Sequence, residues 1–258
     1  MTKKESTKKV KKSYFEMKEI NDMQSHYNNT KGILICHAMN RERGSKKEMF
    51  DLLDQFAITE ENNQNNQTIE NERNEKNEKK IEDDLDAQLA QELAQLAERK
   101  QKWYIHDTGV NCMMFCEVHS DAIETVKNVF EGAKNSEIFI KETQKIFPLQ
   151  KVGIANAMEK VTGIVKEILN EMTEDKSIEK YKSFAIRYAC RHNSNFTRDE
   201  TIKNVAEIMP KEWKVDLKNP DVTVFIEIFY RGVGVSFIDQ ETLVKYANFN
   251  IGKFLKGE

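Results

Sequence analysis

The chain has 258 residues, of which 39% are hydrophobic and 32% charged, with a net charge of −3. This length suits two modules of ordinary size. The sequence contains no run of about 18 apolar residues, and its start, MTKKESTKKVKK, lacks an apolar signal core. We therefore expect neither a membrane span nor secretion. Four cysteines lie mostly in apolar stretches, which is typical of reduced thiols in the cytosol or nucleus: Cys36, Cys112, Cys116 and Cys190.

The charges are unevenly distributed along the chain. Residues 1–59 carry 12 Lys and Arg against 8 Asp and Glu, whereas residues 60–101 carry 6 against 12. A basic surface is therefore compatible with the sequence outside the acidic block. Residues 1–30 are predicted to be a basic disordered leader. Its lysines are equally consistent with RNA contact, nuclear import or a solvated tail: Lys3, Lys4, Lys8, Lys9, Lys11 and Lys12.

The acidic block is predicted to be an insertion over residues 60–102. Its first part, EENNQNNQTIENERNEKNEKK, contains Ile69 as its only large apolar residue, so we expect disorder. The second part, residues 81–102, has one narrow leucine stripe at helical spacing and is predicted to be a helix. That helix suits either docking to a partner or packing on its own domain. The stripe consists of Leu85, Leu89, Leu93 and Leu96.

The sequence on either side of the insertion predicts an α+β module over residues 31–150. Gly32 to Met39 reads as a strand, and the capping box from Ser45 to Glu48 predicts the start of an amphipathic helix. Val110 to Val118 repeats the strand, and Asp121 opens a second helix. Pro148 confines the last extended stretch to an edge or loop. We predict a ferredoxin-like βαβ module.

The second module, residues 151–258, is predicted to contain a helix, a strand, a helix and two strands. The long helix begins at Ile154, and Ser183 to Cys190 alternates as a strand. Thr197 and Glu200 form a second capping box. The apolar run from Asp221 to Tyr230 predicts a central strand, paired in a hairpin with Val233 to Ile238.

Two segments of this module resemble the THUMP domain, an RNA-binding module of tRNA-modifying enzymes. They are FAIRYACRHNSNFTRDETI, from Phe184 to Ile202, and VDLKNPDVTVFIEIF, from Val215 to Phe229. Together with GILICHAMNRE after Lys31, they are similar to the stand-alone THUMP proteins that assist tRNA cytidine acetylation. The resemblance implies a tRNA-binding adaptor that is not itself an enzyme and needs no cofactor. It would present the D arm of serine and leucine tRNAs to a separate RNA cytidine acetyltransferase, which makes N4-acetylcytidine in the nucleus, nucleolus or cytoplasm.

The candidate RNA-binding residues surround the polar segment RHNSN, which precedes a capped helix. Arginine forks and backbone N–H groups at a helix start both suit phosphate oxygens. An alternative interpretation is that Asn193 and Ser194 only shape the turn and cap the helix. The predicted site comprises Lys182, Arg187, Arg191, His192, Asn193, Ser194 and Arg198.

Other patterns favour structural roles over chemistry. His106, Cys112, Cys116 and His119 imitate a metal site, but residues i and i+4 of a strand lie about 13 Å apart. The glycines after Arg231 suit a hairpin turn better than a nucleotide loop, and Glu227 suits a structural ion pair better than a catalytic acid. Without a phosphate-binding loop or a carboxylate cluster, a self-sufficient RNA-modifying enzyme is the less favoured alternative. A protein-interaction scaffold independent of RNA is another.

Overall fold

A computed structural model describes Tyr27, residues 29–57 and residues 103–257. The predicted leader and the insertion at 60–102 lie almost entirely outside these residues, so both stay predictions. No helix within the described residues is long and apolar enough to cross a membrane.

The described chain is a mixture of helices and strands, which confirms the α+β class. The first half contains β1 (Thr30–His37), α1 (Glu42–Phe56), β2 (Ile105–Asp107), β3 (Met113–Val118), α2 (Ala122–Asn135) and β4 (Thr143–Ile154). The second half contains α3 (Met158–Glu174), β5 (Ser183–Arg191), α4 (Arg198–Ala206), β6 (Lys214–Val215), β7 (Val222–Phe229), β8 (Gly232–Asp239), α5 (Gln240–Lys245) and α6 (Ile251–Lys256). The predicted order of the second module is present, with the two-residue strand β6 and the C-terminal helices α5 and α6 added.

The eight strands of the described residues form one continuous sheet in the order β2-β3-β1-β4-β8-β7-β5-β6. Strand β5 is parallel to β6 and β7, whereas the other neighbours are antiparallel. Within the described residues, the first half runs β-α-β-β-α-β. Its ferredoxin-like character stays a prediction. Pairing of residues 151–154 with residues 232–235 joins the two halves. The predicted boundary at residue 150 stays a prediction.

The sheet is curled, as contacts between aromatic rings on distant strands show. Phe115 of β3 and Phe229 of β7 are separated by four strand spacings, about 19 Å in a flat sheet. Their ring centroids are nevertheless 6.3 Å apart, and Tyr27 packs against both rings. The concave face therefore encloses a core shared by both halves of the chain.

Two hydrophobic clusters divide the buried residues. The larger one joins the first half of the chain to Phe225, Phe229 and Ile238 of the second half. It also contains the C-terminal side chains Leu243, Tyr246, Phe249, Ile251 and Phe254. In the smaller cluster, α3 and α4 both pack against the side chains of β5, β7 and β8 that point away from the concave face. Packing between sequence-distant residues thus ties the C-terminal segment to the first half.

Helix α1 begins earlier than the capping box predicted. Arg41 occupies the N-cap position, and Ser45 is buried inside the helix, where its hydroxyl bonds to that of Thr143 at 2.8 Å. The Glu48 carboxylate accepts hydrogen bonds from the backbone N–H groups of residues 141–143. The capping-box prediction was therefore wrong, because both side chains serve the start of β4.

Strand β4 corrects the prediction for Pro148, which lies in the sheet interior and pairs with Ile33 of β1. The regular ladder with β8 covers only residues 151–154. Beyond it, the Ser236 hydroxyl donates to the Pro148 carbonyl at 2.7 Å and accepts from the Gln150 N–H at 3.0 Å. A side chain thus bridges the stretch in which proline cannot donate.

Two further boundaries differ from the sequence prediction. Ile154 ends β4, and α3 starts only at Met158. Cys112 lies before β3 with a φ of +62°, so the turn at residues 108–112 shortens the predicted strand. The predicted cap of α2 is confirmed, because the Asp121 carboxylate accepts from the Glu124 N–H at 2.8 Å.

Candidate nucleic-acid interface

Strand β5 carries two of the predicted arginines on one face. Side chains alternate along a strand, so Arg187 and Arg191 point to the same side, about 13 Å apart along the chain. The register places Arg187 beside Phe225 and Arg191 beside Phe229 of β7. Both arginines therefore belong to the concave face of the sheet.

Arg191 is held by an ion pair. Its Nη1 donates to Oε2 of Glu227 at 2.7 Å. The Glu227 side chain is 9% exposed and that of Arg191 41%, so the carboxylate is nearly enclosed while the guanidinium reaches solvent. This pair confirms the structural interpretation of Glu227. It also orients Arg191 and offsets part of its charge.

Arg187 lies over the ring of Phe225, with 5.6 Å between the guanidinium carbon and the ring centroid. Its Nη1 donates to Oδ1 of Asn248 at 3.3 Å. Among the described residues, no carboxylate lies within ion-pair distance of it. No carboxylate of the described residues therefore offsets the charge of Arg187. A cation–π contact and one hydrogen bond to an amide hold its guanidinium in position.

The segment that follows β5 is fastened to neighbouring loops. His192 has a φ of +54°, and its Nδ1 lies 3.1 Å from the Gly109 carbonyl oxygen, in the turn before β3. The Asn193 amide donates to the Tyr230 carbonyl at 2.7 Å, and its oxygen accepts from the Asn195 N–H at 2.9 Å. Asn193 therefore shapes this turn, and its predicted role in RNA binding stays a prediction.

The remaining predicted site residues are spread more widely. Ser194 and Arg198 are exposed, at the tip of the loop and at the first turn of α4. Lys182 precedes β5 at its other end, about 30 Å from Arg191 along an extended strand. Its backbone N–H donates to the Asp221 carboxylate. The structure brings Arg187, Arg191 and the His192 loop together, but not Lys182.

Thr197 occupies the N-cap of α4, as predicted, but its side chain makes no capping hydrogen bond to the helix backbone. Its hydroxyl lies instead 3.5 Å from Oε2 of Glu200. The reciprocal capping box is therefore not formed, although the helix starts where the pattern indicated.

Sequence reasoning missed a third cation on the same face. Lys145 of β4 lies with its Nζ 4.5 Å from the Phe147 ring centroid. Burial raises the pKa of the Cys36 thiol, whereas the charges of Lys145 and Arg191 lower it. The Cys36 thiol is therefore close enough to a lysine of the first half and an arginine of the second half for both charges to affect its pKa. Nothing local in the sequence marks Lys145, because its neighbours come from elsewhere in the chain.

The geometry gives little support to a metal site or to a reactive cysteine. Within the described residues, no group of three or more His, Cys, Asp or Glu side chains is placed to hold a metal ion. Burial raises the pKa of the Cys116 thiol to about 12. A reactive thiolate at Cys116 is therefore not expected near neutral pH.

Comparison with known families identifies the second half. The sequence profile of the THUMP domain matches residues 155–237. The chain contains a THUMP domain. This THUMP domain begins just after β4, runs through most of β8 and includes all seven predicted site residues. Lys145 and Asn248 lie outside it.

Three relatives extend beyond the THUMP domain. An uncharacterized protein of Schizosaccharomyces pombe is 22% identical over 236 residues, which cover 86% of this chain and 75% of that protein. The tRNA acetyltransferase TAN1 of Saccharomyces cerevisiae is 25% identical, covering 59% of this chain and 58% of TAN1. THUMP domain-containing protein 1 of Mus musculus is 26% identical, covering 87% and 64%. The matches to the last two span less than two thirds of those proteins.

Proposed function

We propose that this chain binds tRNA and presents it to a separate RNA cytidine acetyltransferase, without catalysing the reaction itself. The observation that carries the proposal is the pair of arginines on β5, inside the THUMP domain, with guanidinium groups at a solvent-facing edge. Two relatives support the context, since one is named a tRNA acetyltransferase and another a THUMP domain-containing protein.

The chemistry of the site suits an RNA backbone. Planar guanidinium groups match the paired oxygens of a phosphate, and no nucleophile is needed for binding. Fixed positions lower the entropy that a flexible arginine would lose on binding. Ser194 and Arg198, both exposed, extend the same loop toward solvent. Lys182 belongs to the proposed surface only if the RNA follows the length of β5.

The finer details of the proposal come from the resemblance to THUMP adaptor proteins. They are recognition of serine and leucine tRNAs, presentation of the D arm, and formation of N4-acetylcytidine by the partner enzyme. An intracellular location, nuclear or cytoplasmic, belongs to the same proposal.

A second candidate function is catalysis by the chain itself. The name of the yeast relative, which calls that protein a tRNA acetyltransferase, favours this candidate. The two candidates differ in one measurable respect, because an enzyme would transfer acetyl groups from acetyl-coenzyme A without a partner.

Binding of unfractionated tRNA at several salt concentrations tests the first step. We expect micromolar affinity that falls steeply with salt, because phosphate contacts release counterions. Affinity independent of salt would exclude phosphate contacts. Incubation with tRNA and acetyl-coenzyme A tests the second step, and we expect product only after an RNA cytidine acetyltransferase is added. Acetylation by the chain alone would overturn the adaptor role.

A further inference from the structure

We infer that Lys145, Arg187 and Asn248 form a binding site for a backbone phosphate of RNA, assembled from both halves of the chain and its C-terminal turn. The inference rests on the proposed RNA binding and deepens it. Two of the three residues lie outside the THUMP domain. An RNA bound there would engage the protein as one unit.

The floor of this site is a pair of touching aromatic rings. Phe147 of β4 and Phe225 of β7 have ring centroids 4.8 Å apart, and both side chains are buried. The Lys145 ammonium lies over the first ring and the Arg187 guanidinium over the second. The two cations therefore lie over adjoining rings.

The third side chain comes from an unusual turn. Ala247, Asn248 and Phe249 have successive φ values of +49°, +52° and +62°, a region that non-glycine residues adopt only where the surrounding structure holds them there. The turn is held because Phe249 is fully buried, with its ring centroid 5.4 Å from that of Phe147. Asn250 also pairs with Lys145 through the backbone.

This turn directs the Asn248 amide toward Arg187. Its oxygen accepts from the Arg187 Nη1 at 3.3 Å, and within the described part of the chain no acceptor engages the amide N–H groups, which could donate to an anion. An ammonium, a guanidinium and an amide thus supply the donors. Phosphate oxygens accept from all three groups.

The charges around this floor are unbalanced. Among the described residues, neither Lys145 nor Arg187 lies within ion-pair distance of a carboxylate, and the nearby Glu227 is already paired with Arg191. Two cations over an apolar floor repel each other, and an anion bound between them removes that repulsion. A phosphate is the anion that RNA provides at regular spacing.

The test compares Lys145→Gln and Asn248→Gly with the wild-type full chain, using unfractionated tRNA as the probe. Glycine tolerates positive φ, so Asn248→Gly removes the amide without straining the turn. We expect Lys145→Gln to weaken binding about tenfold, as for a charged hydrogen bond, and to lower the salt slope by about one unit. We expect a smaller loss for Asn248→Gly.

Lys134→Gln is the matched control, because Lys134 also lies over a phenylalanine ring, that of Phe254. We expect its tRNA affinity to equal that of the wild type. Arg187→Gln completes a double-mutant cycle with Lys145→Gln. The double variant should lose less tRNA affinity than the product of the two single fold-changes, since both residues would hold one phosphate.

The outcomes separate this inference from the proposed function. If the wild type binds tRNA while Lys145→Gln and Asn248→Gly bind equally well, the phosphate site is wrong and the RNA-binding function stands. If the wild type does not bind tRNA, both are overturned. Equal losses for Lys145→Gln and Lys134→Gln would indicate general electrostatic attraction and would also refute the site.

Discussion

At the scale of single residues, Arg191 combines an ion pair to a buried carboxylate with partial exposure to solvent. Its guanidinium forms an ion pair with the buried Glu227 carboxylate, and it also reaches solvent beside the loop after β5. The local sequence around Arg191 does not indicate that its guanidinium has an ion-pair partner. The ion pair makes it partly structural, because removal would leave a carboxylate enclosed without a partner.

We therefore predict that Arg191→Ala lowers the free energy of unfolding by about 1 to 3 kcal/mol, the cost of leaving a buried polar group unsatisfied. Chemical denaturation measures this loss. Arg191→Ala/Glu227→Gln should recover most of it, because the glutamine carries no charge. The exposed Arg198→Ala should change stability by less than about 0.5 kcal/mol. No recovery in the double variant would mean that the ion pair is not the cause.

At the scale of elements, the start of β4 depends on a side chain from α1. Glu48 accepts hydrogen bonds from three successive backbone N–H groups, at residues 141–143. Ser45, one turn earlier on the helix, bonds to the Thr143 hydroxyl. Helix α1 thereby positions the strand that joins the two halves of the sheet.

Replacing Glu48 with alanine should lower the free energy of unfolding by about 1 to 3 kcal/mol, because partly buried N–H groups would lose their acceptor. Glu42→Ala is the control: Glu42 lies exposed in the first turn of α1, where its charge contributes less than about 1 kcal/mol. Thermal unfolding of both variants would measure the difference. Equal stabilities would show that the carboxylate does not support β4.

At the scale of the whole molecule, the C-terminal segment closes the core of the first half. Phe249 is fully buried, and its ring contacts those of Phe130 in α2 and Phe147 in β4. The curled sheet places these partners together although more than a hundred residues separate them in sequence. The described chain is therefore expected to unfold as one unit.

Phe249→Ala should lower the free energy of unfolding by about 3 to 5 kcal/mol, as for other buried aromatic residues. Hydrogen exchange should show faster opening of β1 and β4 as well as of α6. Val244→Ala, which truncates a side chain that is 69% exposed, should leave both measurements nearly unchanged. Loss of protection confined to α6 would contradict a shared core.

Local patterns in the sequence were sufficient for much of the fold. Apolar alternation predicted β5, a continuous apolar run predicted β7 with β8 as its hairpin partner, and Asp121 marked the start of α2. These signals depend only on neighbouring residues. The segment from Phe184 to Phe229 also carried the resemblance to the THUMP domain, which the family comparison confirmed.

Only the tertiary structure decided where these elements meet. Pro148 lies inside the sheet because Ser236, 88 residues later, bonds to its carbonyl, and Arg191 is paired because β7 places Glu227 beside it. Asn248 contacts Arg187, and Lys145 lies over the ring next to Phe225, only because the sheet curls and aromatic rings pack across it. Spacing along a chain reports its local periodicity, whereas the charge and partners of a site depend on which distant segments fold against it.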